Sequence, residues 1–208
     1  MKRKNILVIA DLGGCPPSMF YKSAAEKYNV ISYIPRPSAI TKTHAAYIEE
    51  HSAVIVKDMD LLNELKDFEH PESIYWAEKE YPKSEEQVVD DIIKIARQYN
   101  VSAITTNNEL FVTPMAIACE KLGLRGAGST AARKARDKNL MRESFNNGGV
   151  RTVRSRRVSD LNDFKEALLE LGLPLILKPT FLASSIGVRL IDSYDNAETI
   201  FNEVSKFI

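Results

Sequence analysis

Leu173–Val188 reads LPLILKPTFLASSIGV. A short apolar run, Leu173 to Leu177, delivers one lysine, Lys178, and Pro179 stops the strand. A small, hydroxyl-rich loop follows (Ala183, Ser184, Ser185), and Ile186, Gly187 and Val188 begin a return strand. A cation at a strand end, facing a loop of N–H and O–H groups, is a way to hold a polyphosphate. It points to an enzyme that uses ATP.

The plainer reading of Lys178 is a strand-end lysine reaching solvent on its long stem. Two serines and a glycine are also what ordinary turns use. The weight of Ser184, Ser185 and Gly187 comes from their position after Lys178 and Pro179. A second cation, Lys138, lies in Ala135–Arg142 (ARDKNLMR) and shares a helix face with Met141 and Arg142. By itself it would read as a charged helix surface.

Upstream, strands and helices alternate. Strands are expected at Asn5–Ala10, Val30–Ile34, Ala53–Val56 and Val101–Thr105. Helices are expected at Ser18–Tyr28, Thr41–Glu50, Leu61–Lys66 and Pro114–Lys121. A further helix begins at Ser84, where Gln87 completes a capping box and Val88, Val89, Ile92, Ile93, Ala96 and Tyr99 form an apolar stripe. Short apolar strands in β-α-β order predict an α/β, Rossmann-like parallel sheet covered on both faces.

Ligands of such sheets gather at the carboxyl ends of the strands. Asp11–Cys15 and Thr105-Thr106-Asn107-Asn108-Glu109 both fall there. Asn108 and Glu109 suit the amine of a small polar ligand or a hard cation, although the same residues also cap helices. The glycine turn at Gly13-Gly14 lacks the full dinucleotide pattern. Gly123–Ser129 (GLRGAGS) mimics a phosphate-binding P-loop, but Ser129 stands where its lysine must be.

Near Gly126–Ser129 the pattern changes. Thr130–Asn147 reads as one or two helices, Thr152–Val158 as a strand, and Asp160–Leu171 as a helix. Leu175–Lys178 and Val188–Ile191 read as strands and Ala197–Phe207 as a helix. The domains expected are therefore 1–128, of α/β type, and 129–208, of α+β type.

The 208 residues carry no net formal charge, 44% hydrophobic and 27% charged side chains. That is a globular composition with no global field for nucleic acid or anionic membrane. The apolar start breaks at Asp11 and reads as a buried strand, not a signal peptide. Cys15 and Cys119 form neither a disulfide framework nor a metal spacing. A cytoplasmic location is expected.

Gly126-Ala127-Gly128, the Ala135–Arg142 run, Leu175-Ile176-Leu177-Lys178-Pro179 and Ser184-Ser185-Ile186-Gly187-Val188 together resemble the ATP-grasp carboxylate–amine ligases. VIADLGGCPP (Val8–Pro17), FYKSAAEKYN (Phe20–Asn29), FEHP (Phe68–Pro71), SIYWA (Ser73–Ala77), AITTNNELF (Ala103–Phe111) and LGLRGAG (Leu122–Gly128) are similar to its dipeptide-forming L-amino acid ligases. The resemblance implies a pre-ATP-grasp N-terminal domain, a lid subdomain from residue 129, and a catalytic domain that would follow Ile208. It implies ATP and Mg2+ as cofactors, with Lys138, Lys178, Ser184 and Ser185 on the nucleotide. Asn108 and Glu109 would meet the substrate, and Glu109 with the Leu182 carbonyl would hold the metal.

The family's main magnesium carboxylates, adenine hinge and substrate-carboxylate arginine would lie beyond Ile208. No catalytic residue is therefore assigned, and residues 1–208 alone are not expected to turn over. The partners implied are L-amino acids and ATP, not nucleic acid or membrane, and a homodimer is left open. The aromatic segment Tyr75–Tyr81, with Pro82, Lys83 and Ser84, either borders the amino acid pocket or packs under a long loop. Competing readings are another ATP-grasp enzyme, such as a D-alanine-type ligase or a biotin-dependent carboxylase, and a non-catalytic binding module.

Overall fold

The computed structural model describes residues 3–10, 15–35, 42–58, 83–182 and 185–207. They form two compact units, Met1–Ala132 and Arg133–Ile208.

The first unit is built on a four-stranded parallel sheet. Its strands are β1 (Asn5–Ile9), β2 (Asn29–Ile34), β3 (Val54–Lys57) and β4 (Val101–Thr106), in the order β3-β2-β1-β4. Strand alternation sends Leu7, Ile9, Ile31 and Tyr33 to one face and Ile6, Val8, Val30 and Ile34 to the other. Both faces are covered, which is why β1 reads as an unbroken apolar run.

On the first face lies α3 (Glu85–Gln98), with Val88, Val89, Ile92, Ile93, Ile95 and Ala96 buried. Its start is the expected capping box: Ser84 Oγ accepts from Gln87 N–H, and Gln87 Oε1 accepts from Ser84 N–H. Beside it runs α4 (Val112–Leu122). The opposite face packs against Tyr21 of α1 (Tyr21–Lys27) and Ile48 of α2 (Lys42–His51). Ser32 also points to that side, fully buried, and is satisfied by Tyr21 Oη at 2.9 Å and Ser52 Oγ at 2.7 Å. Burial pushes the Tyr21 phenol up to about 12, against a smaller downward pull from Ser32.

In the second unit, Asp137 caps α6 (Lys138–Asn147), which follows α5 (Ser129–Arg136). An antiparallel pair, β5 (Leu175–Leu177) and β6 (Arg189–Ile191), packs on α7 (Leu161–Leu171) and α8 (Ala197–Ser205). Phe164, Leu168, Ile191 and Ala197 are the core, with Phe164 and Phe201 stacked at 4.9 Å.

Two expectations are corrected. Ser18–Tyr28 is a 3-10 turn, Pro17–Met19, followed by the shorter helix α1. Thr130–Asn147, read as one or two helices, is two, separated at the Asp137 cap, and that reading stands. Thr152–Val158 joins no ladder. The segment is without regular secondary structure and is bound to α7 by arginines: Arg154 donates to the Glu170 carbonyl, and Arg156 to Asp163, Glu166 and Glu170. The helix expected at Leu61–Lys66 and the aromatic segment Tyr75–Tyr81 lie outside the described residues, as do Asp11–Gly14 and Ser184.

Candidate functional site

In the second unit, β5 ends at Leu177 and hands the chain to Lys178. Leu175 and Leu177 face the core, while Ile176 and its cross-strand partner Leu190 are 54% and 55% exposed. Strand alternation puts Lys178 on the Ile176 side. Lys178 is half-buried, and among the described residues its ammonium has no hydrogen-bond or ion-pair partner. A half-sheltered cation beside an apolar pair, with no counter-charge among the described residues, suits an anionic ligand with a flat apolar part.

Lys138 stands at the first position of α6, after the Asp137 cap, whose Oδ1 accepts from Asn139 N–H at 2.7 Å and Leu140 N–H at 3.1 Å. Both ends of Lys138 reach the segment that follows Lys178. Its amide donates to the Thr180 carbonyl at 3.1 Å. Its ammonium donates to the same carbonyl at 3.4 Å and to that of Leu182. The two lysines named from the sequence therefore lie on adjoining chain segments, held together by backbone carbonyls. The Leu182 oxygen, expected to face a metal, here faces the Lys138 ammonium.

Ser185 is exposed at φ 61, and Gly187 adopts φ 68. Val188 N–H donates to the Ser185 carbonyl at 3.2 Å, turning the chain back. A Cβ on Gly187 would stand 2.8 Å from Pro179 Cγ and 3.3 Å from the Phe207 ring. The glycine thus brings the return strand against the residue after Lys178. Its close approach is to Pro179, a contact the sequence reading did not foresee.

In the first unit, strand order reverses between β1 and β4, and their carboxyl ends flank that switch point. Thr106 Oγ1 donates to the Ile9 carbonyl at 3.0 Å and accepts from Asn108 N–H at 3.2 Å. Asn107 Nδ2 donates to the Cys15 carbonyl at 3.0 Å. Asn108 is buried and its Oδ1 accepts from Leu110 N–H at 2.7 Å, capping the 3-10 turn Glu109–Phe111. Glu109 is exposed at the head of that turn. Within this run the capping reading falls on Asn108.

Lys83 and Ser84 are otherwise engaged. Lys83 donates to Asp58 and Asp91, and Ser84 caps α3. Burial alone would lower the Lys83 pKa, but the two carboxylates outweigh it and the net shift is upward. Among the described residues no group of three or more His, Cys, Asp or Glu could hold a metal ion. No helix among them is long and apolar enough to cross a membrane.

The chain is 61% identical over 208 residues to the alanine–anticapsin ligase of Bacillus subtilis, a match covering 100% of this chain and 44% of that one. The solved L-amino acid ligase from Bacillus licheniformis superposes with a TM-score of 0.66 at 19% identity, over 99% of this chain and 43% of that one. The N5-carboxyaminoimidazole synthetase from Staphylococcus aureus complexed with ADP gives 0.67 at 18% identity, over 99% and 46%. No family model matches. The chain spans under half the length of the curated relatives it matches. It is similar from end to end to that share of the alanine–anticapsin ligases, and its mixed α/β fold matches the corresponding part of these two solved enzymes.

Proposed function

We propose that this chain serves an ATP-dependent ligase that joins two L-amino acids into a dipeptide, with release of ADP and phosphate. Residues 1–128 form its amino-acid side and residues 129–208 its nucleotide lid. The observation that carries the reading is the half-buried Lys178, without a hydrogen-bond or ion-pair partner among the described residues, on the Ile176 and Leu190 side of the strand pair, with the segment after it bound by Lys138. The 61% identity to an alanine–anticapsin ligase supports the substrate class and makes L-alanine the first amino acid to test.

In this reaction the first carboxylate takes the γ-phosphoryl group and becomes an acyl phosphate. The amine of the second amino acid then attacks the acyl carbon, and phosphate leaves. Such transfers need charge neutralisation and alignment more than a protein nucleophile. Lys178 places a fixed positive charge on the phosphate chain, and the Ile176–Leu190 face accepts the base. Lys138 adds charge once its ammonium leaves the Thr180 and Leu182 carbonyls for phosphate oxygens. Ser184 and Ser185, in the loop between the two strands, donate to the phosphates and keep water from the acyl phosphate.

Magnesium would add charge neutralisation at the phosphates. Glu109 and the Leu182 carbonyl each bring one oxygen of the kind it takes. The described residues alone do not make a metal centre, so no step is routed through one.

The test is to mix the full-length polypeptide carrying this sequence with ATP, magnesium and pairs of L-amino acids, and to measure phosphate and dipeptide. Phosphate release that depends on both amino acids is expected. No release with any pair would sink the ligase reading.

A further inference from the structure

Helix α6 carries Lys138 at its first position, yet none of its ten residues is buried. Core packing alone gives little hold on where that lysine stands. Polar ties at the two ends of the first turn supply it. At Lys138 the backbone N–H donates to the Thr180 carbonyl at 3.1 Å. Four residues on, on the same face of the helix, Arg142 Nη1 donates to Thr152 Oγ1. Arg142 and Thr152 are both half-buried. Thr152 is itself anchored on either side. Before it, Val150 N–H closes α6 on the Phe145 carbonyl at 2.9 Å. After it, Arg154 and Arg156 bind α7, which supplies Phe164 and Leu168 to the core of the unit. A path of hydrogen bonds thus runs from that core through Thr152 and Arg142 to the turn that bears Lys138.

We propose that Arg142 is a positioning residue for Lys138, acting through the hydroxyl of Thr152. The inference rests on the reading of Lys138 as a nucleotide lysine and adds to it a residue that holds the lysine's helix rather than the phosphate. When the Lys138 ammonium passes to phosphate oxygens, its bonds to the Thr180 and Leu182 carbonyls are given up. The amide bond and the Arg142–Thr152 bond survive that exchange and keep the first turn of α6 in place. A guanidinium only donates, so the atom opposite must accept. That requirement separates the tie from the charge. Thr152→Val keeps the side-chain shape and the Arg142 charge but removes the acceptor, whereas Thr152→Ser keeps the acceptor. Were Arg142 itself on the phosphates, releasing it from Thr152 would leave nucleotide affinity unchanged or improve it.

The experiment uses the full-length polypeptide carrying this sequence, with calorimetric binding of ATP and magnesium in the absence of amino acids, and steady-state KM values for each substrate. Thr152→Val should weaken ATP in both Kd and KM about fivefold, the worth of one hydrogen bond, while the amino-acid KM values hold. Thr152→Ser should recover most of that loss. Arg142→Met should weaken ATP at least as much as Thr152→Val, and combining them should add less than about twofold, because both remove the same bond. In a Lys138→Met background Thr152→Val should also change the ATP Kd by less than about twofold, because the residue to be positioned is gone. An ATP affinity indifferent to Thr152→Val, a serine variant as weak as valine, or an undiminished loss on top of Lys138→Met would each overturn the inference. So would ATP and amino-acid KM values rising together as the melting temperature falls, the pattern of a merely structural role. If the wild type neither binds ATP nor makes dipeptide, the ligase reading itself fails and takes this inference with it. An active wild type with a silent Thr152 refutes the positioning role alone.

Discussion

The side-chain ammonium of Lys138 is hydrogen-bonded to the backbone carbonyl of Leu182, and the Lys138 amide to that of Thr180. One residue therefore holds the chain that leaves Lys178 at two points. Lys178 has no such engagement among the described residues. The two lysines should fail differently when removed. Lys178→Met should cost about 100-fold or more in phosphate release, as lost charge stabilisation of a transition state does, with an unchanged urea midpoint. Lys138→Met should lose activity and about 1.5–3 kcal/mol of stability, the worth of hydrogen bonds from a charged donor. Equal midpoints for the two variants would refute the holding role of Lys138.

Gly187 is required by two independent constraints, a φ of 68° and the Pro179 side chain 2.8 Å from where a Cβ would be. Pro179 is a ring on a fixed backbone and has little room to give. Gly187→Ala should destabilise the second unit by about 1–3 kcal/mol, read in urea by a signal from that unit. A variant as stable as the wild type would show that the turn can shift.

Lys83 lies between Asp58, whose side chain is 7% exposed, and Asp91. Lys83→Met leaves Asp58 buried without its cation and should cost about 3–5 kcal/mol, the usual loss when one partner of a buried pair is removed. Adding Asp58→Asn should return part of that. A double variant no more stable than Lys83→Met would place the damage elsewhere.

Glu120 reaches from α4 to Ser129 N–H at 2.8 Å, capping α5. Hydrogen bonds from Ser129, side chain first and then backbone, hold its carboxyl below the usual range. The folded pKa is thus below the unfolded one. The contribution is complete above the ordinary carboxylate range and fades as pH falls through the depressed value. Melting temperatures from pH 7 down to pH 3 should show a shallower acid loss for Glu120→Gln than for the wild type. Parallel acid limbs would exclude Glu120 from that loss.

What the sequence made legible was local or periodic. The Ser84–Gln87 box needs three residues of separation, and the α3 stripe and the β1 run announce their burial by spacing alone. Thr152–Val158 was misleading because β-branched residues such as Thr152, Val153 and Val158 suit a strand without requiring one. What decides between a ladder and a lone strand is where Arg154 and Arg156 find acceptors, and those lie on another element. The same limit hid the Lys138 carbonyl contacts and the bond from Asn107 to Cys15. Gly187 was visible as a glycine, but its neighbour Pro179 became visible only in three dimensions.

The sheet of the first unit also has a history in time. Asn5 pairs with Asn29 on one side and with Val101 on the other. During synthesis β1 can dock on β2 almost at once, yet its second edge stays bare until roughly a hundred residues have emerged, the kind of distant pairing that slows folding. For that interval the most apolar strand of the unit offers open N–H and C=O groups to any neighbouring chain. Variants that delay β4 should therefore be detected first as poor yield from the ribosome, well before the purified protein shows a fault.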